Sequence, residues 1–289
     1  DGPAPRAGAA TTTSETPAST PAEPLTDPLT EEPHHPRGPA EAARMIVAAE
    51  RAIADRTTDP ARTAAAGRVQ QLAYRSLGAH PAWDARVRRA VPAGLRPVVA
   101  GNVASRRAFR SMHGRLSDTL PAWRIVAPAP AAELRAAYRT AERRTGVDWE
   151  YLAAINLVET GLGRIRGTSV AGAQGPMQFL PSTWEQWGRG DIDDPRDAIL
   201  AAGRYLAGQG FNRPGGIAGA LFRYNNSDAY VRGVTLIAQQ LQRRPEAFLG
   251  YHAWEVYYLT SRGDVLLPQG YDAAAPVAVD DWLATHPQR

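Results

Sequence analysis

Cysteine is absent from the 289-residue sequence, and so is lysine. Without cysteine there are no disulfides and no thiolate metal ligands, so packing alone must hold the fold. The six histidines share no HExxH-type spacing, so a zinc site is not expected, and no cofactor is implied. No apolar run approaches the roughly 18 residues that a helical membrane span requires, so no span is expected. The chain also lacks the aromatic and glycine pattern of an RNA-binding sheet and the spacing of zinc fingers, which argues against a nucleic-acid partner. It begins at "DGPAP" without an initiator methionine; a removed signal peptide and a shortened chain are the two readings.

What is present is unevenly distributed. Residues 1–40 are rich in Pro, Ala and Thr with few bulky apolar side chains, and read as a disordered tether that cannot offset the entropy of ordering. Between residues 41 and 149, nineteen arginines stand against nine acidic residues. That surplus favours an anionic partner, while a solvated helix face is the plainer explanation. Residues 41–127 form a basic helical region: Met45, Ile46, Ala49, Ile53 and Ala54 recur three and four apart and predict a helix over 40–56. Further helices are predicted over 61–78, 81–90, 93–117 and 130–145, broken at Pro81, Pro92 and the "DTLPAWRIVAPAPAA" connector.

A helix with Asp148 as N-cap runs through "WEYLAAINLVETG" and ends at Gly161 and Gly163. Glu159 falls in its last turn, facing the negative end of the helix dipole, which raises the pKa of a carboxyl. That direction suits a proton donor and does nothing for a solubilising side chain. After a glycine-rich loop, "LPSTWEQWG" predicts a short helix with Pro181 at its start, capped by Ser182, Thr183 or the preceding turn. The segments "DPRDAILAAGRYLAGQG" and "SDAYVRGVTLIAQQLQRR" predict two amphipathic helices. Strands are expected only near the end, where "WEVYYLTSRGDVLLPQGY" reads as a hairpin around "SRGD". Two strands alone are marginal, so this C-terminal hairpin and tail, residues 250–289, must pack on the domain before them.

Residues 148–236 carry, in order, "NLVETGLG", "GTSVAGAQG", "GPMQFLPSTW", "DPRDAILAAGRYL" and "ALFRYNNSDAYV". This series resembles the catalytic domain of the soluble lytic transglycosylase and goose-type lysozyme-like superfamily, in particular its actinobacterial-type lytic transglycosylases. The resemblance implies a mainly α protein whose lysozyme-like catalytic domain covers 128–249, with the basic helices before it and the small β-hairpin after it. It implies a secreted or envelope-associated, extracytoplasmic monomer that acts on peptidoglycan glycan strands. The implied reaction cleaves the β-1,4 bond between N-acetylmuramic acid and N-acetylglucosamine without water, leaving 1,6-anhydromuramic ends. Glu159 takes the position of the general acid and then base. Ser169 and Gln178 take those of polar residues that orient the acid and bind sugar substituents, and Met177 that of an apolar contact beneath the sugar. Tyr224 and Asn225 stand where the family closes over the acid, with Tyr230 as an addition. The basic helices would contact anionic wall polymers.

A lyase needs no carboxylate to activate water, and no Asp or Glu lies between Glu159 and Glu185. A hydrolytic muramidase would instead recruit one of Glu150, Asp191, Asp193, Asp194 or Asp228 to hold a water across the sugar. A noncatalytic peptidoglycan-binding scaffold would need neither. The sequence departs from the family where "GPMQF" replaces "GLMQI": Pro176 removes an amide donor from that loop.

Overall fold

Pro39 opens the first helix, where a missing amide would have had no intrahelical partner, and the period seen in the sequence buries Met45, Ile46, Ala49 and Ile53 along one face of α1 (Pro39–Ala54). The computed structural model describes residues 26–288. Helix α2 (Pro60–Ala79) starts where the Asp59 carboxylate accepts the Arg62 amide at 2.9 Å. A short 3₁₀ turn, Pro81–Trp83, leads into α3 (Asp84–Ala90), and a second, Ala93–Leu95, into α4 (Arg96–Ser111). The helix expected to reach residue 117 stops at Ser111, just before Gly114, a poor helix former, and Leu116 beyond it is exposed.

These four helices enclose a core of their own that includes Ile46, Leu72, Tyr74, Leu77 and Val87. Most of the expected tether, residues 1–25, lies outside the described residues. Its remainder, 26–40, is not a free tether: its last two residues open α1, Leu29 is buried, Asp27 pairs with Arg62 at 2.6 Å, and the His35 ring meets the Ser76 hydroxyl at 2.9 Å. An apolar anchor and two polar partners are enough to hold this stretch against α1 and α2.

The connector carries two short strands that the sequence pattern did not suggest, β1 (Thr119–Leu120) and β2 (Arg124–Ile125). Then follow α5 (Ala131–Thr145), α6 (Trp149–Thr160) and β3 (Ile165–Arg166), which pairs antiparallel with β2. Helices α7 (Pro181–Trp187), α8 (Pro195–Gly208), α9 (Gly216–Tyr224), α10 (Asp228–Arg243) and α11 (Ala247–His252) complete this part. Helix α6 is apolar nearly all round, as a central helix must be: Leu152, Ala153, Ala154 and Ile155 are all buried, and α5, α8 and α10 pack on it. Asp194 caps α8 by accepting the Arg196 and Asp197 amides, and Ser227 caps α10 through the Tyr230 amide. Asp148 makes no such bond; Glu142 reaches over instead and accepts the Trp149 amide at 3.2 Å. Helix α7 also lacks a side-chain cap and relies on Pro181 at its first turn.

The hairpin forms as its sequence predicts. Strands β4 (Val256–Thr260) and β5 (Gly263–Leu267) pair with Thr260 opposite Gly263. Strand β6 (Val277–Ala278) pairs with β1, and α12 (Val279–Thr285) follows. A third core of Leu120, Ile125, Val265, Leu267 and Tyr271 joins hairpin, connector and tail. The fold is thus mainly α with a small C-terminal β-hairpin. The first core is locked to the second by Glu50, which is 1% exposed and accepts hydrogen bonds from Gln70, Tyr74 and Arg244 at 2.9, 2.6 and 2.6 Å. Among the described residues no helix is long and apolar enough to cross a membrane.

Candidate active site

Two left-handed residues, Gly161 at φ 60° and Leu162 at φ 65°, turn the chain off the end of α6, and the Leu162 amide closes back on the Asn156 carbonyl at 3.0 Å. The turn leaves Glu159 half-buried at the wall of a cleft. There the hydroxyl of buried Tyr230 donates to Glu159 Oε1 at 2.7 Å. Burial pushes the Glu159 pKa up from an ordinary 4.5 to about 7, against the opposing effect of the Tyr230 hydrogen bond. Desolvation, which disfavours the charged form, is therefore the leading cause, where the sequence had pointed to the helix dipole.

The cleft is a cavity of about 450 Å³ whose lining includes Glu159, Asn225 and Tyr230 on one side and Arg75, Arg106 and Tyr257 on another. Its walls therefore come partly from α2, α4 and β4, outside the stretch that carries the recognisable motifs. The expected site residues divide accordingly. Ser169, Met177, Gln178 and Tyr224 do not line this cavity.

Tyr224 does not reach the acid. Its hydroxyl donates to the Met177 carbonyl at 2.6 Å, and its ring stacks on Tyr230 at 6.5 Å and 6°, so it supports the tyrosine that touches Glu159. The expectation for Met177 is corrected too: its side chain is 0% exposed and fills the core under α6, so it offers no surface to a sugar. Gln178 is half-buried, holds φ 51° and donates from Nε2 to the Gly175 carbonyl at 3.1 Å. Ser169 Oγ accepts the Ala173 amide at 3.0 Å and closes a turn. In the same loop Gly175 has φ 71°, and a Cβ there would sit 2.1 Å from the Ile192 carbonyl oxygen, so only glycine fits.

Two residues that the motif reading passed over bolt this loop to the helix of the acid. Asn156 and Thr160 are both 0% exposed. Asn156 Nδ2 and Thr160 Oγ1 donate to the Pro176 carbonyl at 2.8 and 2.6 Å, Asn156 Oδ1 accepts the Tyr138 hydroxyl at 2.6 Å, and Thr160 Oγ1 accepts the Gly163 amide at 3.0 Å. Their signal in the sequence was a polar pair four apart in an apolar helix, because buried polar groups require partners. Pro176 lacks an amide, but its carbonyl is the loop's anchor.

None of the five acids weighed as a second carboxylate lines the cavity, whereas Glu255, from the segment between α11 and β4, does. Glu255 favours the charge of nearby Arg164, whose pKa burial pushes down to about 10. No motif pointed to Glu255, since its place in the cleft is set by the hairpin's docking.

Fold and site together define a helical protein with a half-buried carboxyl, its pKa raised to about 7 by burial, on the wall of a cleft. Residues 136–245 match the family described as Transglycosylase SLT domain, and the chain is related to the soluble lytic transglycosylases. It is 32% identical over 118 residues to Membrane-bound lytic murein transglycosylase F of Thiobacillus denitrificans, a match covering 39% of this chain and 25% of that protein. The protein of the same name from Nitrosospira multiformis is 27% identical over 146 residues, covering 48% and 30%. That from Methylobacillus flagellatus is 29% identical over 115 residues, covering 38% and 24%. The chain thus spans no more than 30% of the length of these curated relatives, and they do not single out the actinobacterial-type subgroup. No solved structure matches significantly.

Proposed function

We propose that this protein is a peptidoglycan lytic transglycosylase that works outside the cytoplasm and cleaves the β-1,4 bond between N-acetylmuramic acid and N-acetylglucosamine without water. The observation that carries this reading is Glu159, held by Tyr230 and kept near pKa 7 by burial, within a segment that matches the transglycosylase family. The protonated carboxyl gives its proton to the glycosidic oxygen as the C1–O bond breaks, and the electron pair leaves with the N-acetylglucosamine. The carboxylate so formed faces the oxocarbenium-like centre, then takes the proton of the muramic C6 hydroxyl while O6 closes on C1. Glu159 ends protonated, and a 1,6-anhydro sugar is the product. A pKa near the working pH serves both transfers. Tyr230 orients the acid, Asn225 offers its amide to the sugar from the same cavity wall, and Ser169 and Gln178 shape the loop that follows the acid's helix. The proline form "GPMQFLPSTW" supports assignment to the actinobacterial-type subgroup.

One observation favours a second reading. Glu255 lines the same cavity as Glu159, and a muramidase would use such a carboxylate to activate water. Mass spectrometry of the products from purified peptidoglycan, with the wild type and Glu159→Gln, separates the readings. Muropeptides about 18 Da lighter than hydrolytic products, absent with the variant, correspond to intramolecular closure. Reducing-end products that depend on Glu159 mean hydrolysis, and no products with active-site geometry intact mean a binding scaffold.

A further inference from the structure

The Glu159 cleft is lined by two arginines, Arg75 of α2 and Arg106 of α4, and both also face Asp264. Asp264 of β5, whose side chain is 8% exposed, faces three guanidinium groups. Arg75 stands nearest, with Nε donating to Oδ2 at 2.8 Å and Nη2 2.7 Å from Oδ1, although buried Oδ1 has no aligned hydrogen bond. Arg106 and Arg110 stand farther off, at 3.5 and 3.6 Å from the same Oδ1, beyond good hydrogen-bond geometry. One carboxylate, already engaged by Arg75, therefore serves three guanidinium groups.

Of the two outer arginines, Arg106 lines the cavity that contains Glu159. Its Nε is buried and has no hydrogen-bond partner. Burial, and next the charge of Arg75, push its pKa down to about 9, which is the direction of a cation lacking a matching anion. Its position is fixed by packing: a Cβ on Gly78 of α2 would lie 2.7 Å from Arg106 Cγ, so the glycine lets the arginine stem lie flat against that helix. Arg75 is held in turn over the Tyr257 ring, 4.7 Å from its centroid. A planar donor group whose stem is packed against α2 is suited to binding a carboxylate through paired hydrogen bonds.

We infer that Arg106 forms a carboxylate-binding subsite in the Glu159 cleft and holds an anionic group of the glycan substrate while Glu159 acts on the bond beside it. The inference rests on the peptidoglycan reading, and it assigns substrate selection to α4, outside the family segment of residues 136–245. Two carboxylates on such a strand share this chemistry: the lactyl group of peptide-free muramic acid and the acids of a stem peptide.

Binding is read by calorimetry on full-length Glu159→Gln protein, so that turnover does not enter. The probes are peptide-free glycan strands with free lactyl carboxylates, the same strands converted to neutral methyl amides, and peptide-bearing strands. The acidic strands are expected to bind at least tenfold more tightly than the amidated ones, and adding Arg106→Gln is expected to abolish that preference. Arg106→Lys should restore part of it. Gly78→Ala, which retains the charge but displaces the side chain, should also reduce it, and this variant serves if Arg106→Gln fails to fold by circular dichroism. Tighter binding of peptide-free strands identifies the lactyl group, and tighter binding of peptide-bearing strands the stem; either supports the subsite. Equal affinity for acidic and amidated strands overturns it, as does an equal loss for both strands on changing Arg106. Binding of no strand at all overturns the subsite and the peptidoglycan reading together, whereas equal binding with anhydro products from the wild type overturns the subsite alone.

Discussion

The Tyr230 hydroxyl donates to Glu159 Oε1 at 2.7 Å, and the Tyr224 ring lies parallel to the Tyr230 ring at 6.5 Å. This contact stabilises the carboxylate form and partly offsets the burial that raises the Glu159 pKa. In Tyr230→Phe the acid should hold its proton to higher pH, moving the alkaline limb of the kcat/KM profile upward. Because a hydrogen bond to a charged group contributes about 1.5–3 kcal/mol, kcat should fall about tenfold or more. An unchanged pH profile in a folded variant would separate Tyr230 from the acid.

Glu159 also links stability to pH. Its folded pKa, about 7, lies above its ordinary 4.5, so the native state binds this proton more tightly than the unfolded chain. The resulting stability is fully present below about pH 4.5 and is lost as pH rises through 7. Relative to Glu159→Gln, the wild type should therefore lose about 2 kcal/mol between pH 5 and pH 8, after discounting for partial exposure. Urea denaturation of both proteins at the two pH values measures the difference; a wild type that gains on the variant with rising pH would contradict the sign.

The bolt between α6 and the Pro176 loop should be costly to remove. Asn156→Ala leaves the Tyr138 hydroxyl and part of the Pro176 carbonyl's bonding unsatisfied, and should destabilise the fold by about 2–3 kcal/mol. Thr160→Val keeps the shape and should cost about 1–2 kcal/mol. Thermal unfolding with chemical-denaturation controls reads both, and near-neutral values would mean that the network does not hold the loop.

Glu255→Gln distinguishes a bystander from a second catalytic group. Under the lyase mechanism product formation should stay within about threefold of wild type, since no water is activated. A drop on the order of 100-fold, typical of losing a general base, would favour the hydrolytic alternative.

The interface of Glu50 with Arg244 predicts cooperative unfolding of the N-terminal helices with the family segment. Buried Glu50 meets half-buried Arg244 at 2.6 Å, and Arg244→Met strands the Glu50 charge, at a cost of about 3 kcal/mol, the low end for a buried pair. A single unfolding transition seen by both tryptophan fluorescence and circular dichroism is expected in the wild type; two separated transitions would show that the two cores fold independently.

Local patterns were legible in advance. The period of α1, the Asp194 start of α8, the glycine end of α6 and the two-residue turn of the hairpin all follow from interactions within a few residues. Helices α11 and α12 and the two-residue strands were not anticipated, because each is too short to carry a period, and α9 lies in a glycine-rich stretch with no side-chain cap to mark its start. At the site, Glu159 stood out through the ordered motifs around it, since its place at a helix end alone fits an ordinary surface glutamate, and the motifs favoured Tyr224 over the tyrosine that touches it. Tyr224 and Tyr230 lie six positions apart on either side of a turn, and only the packing of α9 against α10 decides which hydroxyl points at the acid and which at the Met177 carbonyl.

By itself the sequence determined where the helix of Glu159 begins and ends, which loops must turn at glycine, and that the chain has no thiol chemistry, because covalent inventory, capping and periodicity are local properties. Tertiary structure alone decided that Met177 is core, that Glu255 and Arg106 share the cleft with Glu159, and that burial sets the acid's pKa. Those are consequences of desolvation and of walls assembled from α2, α4, α6 and the hairpin, and neither can be read from any one segment.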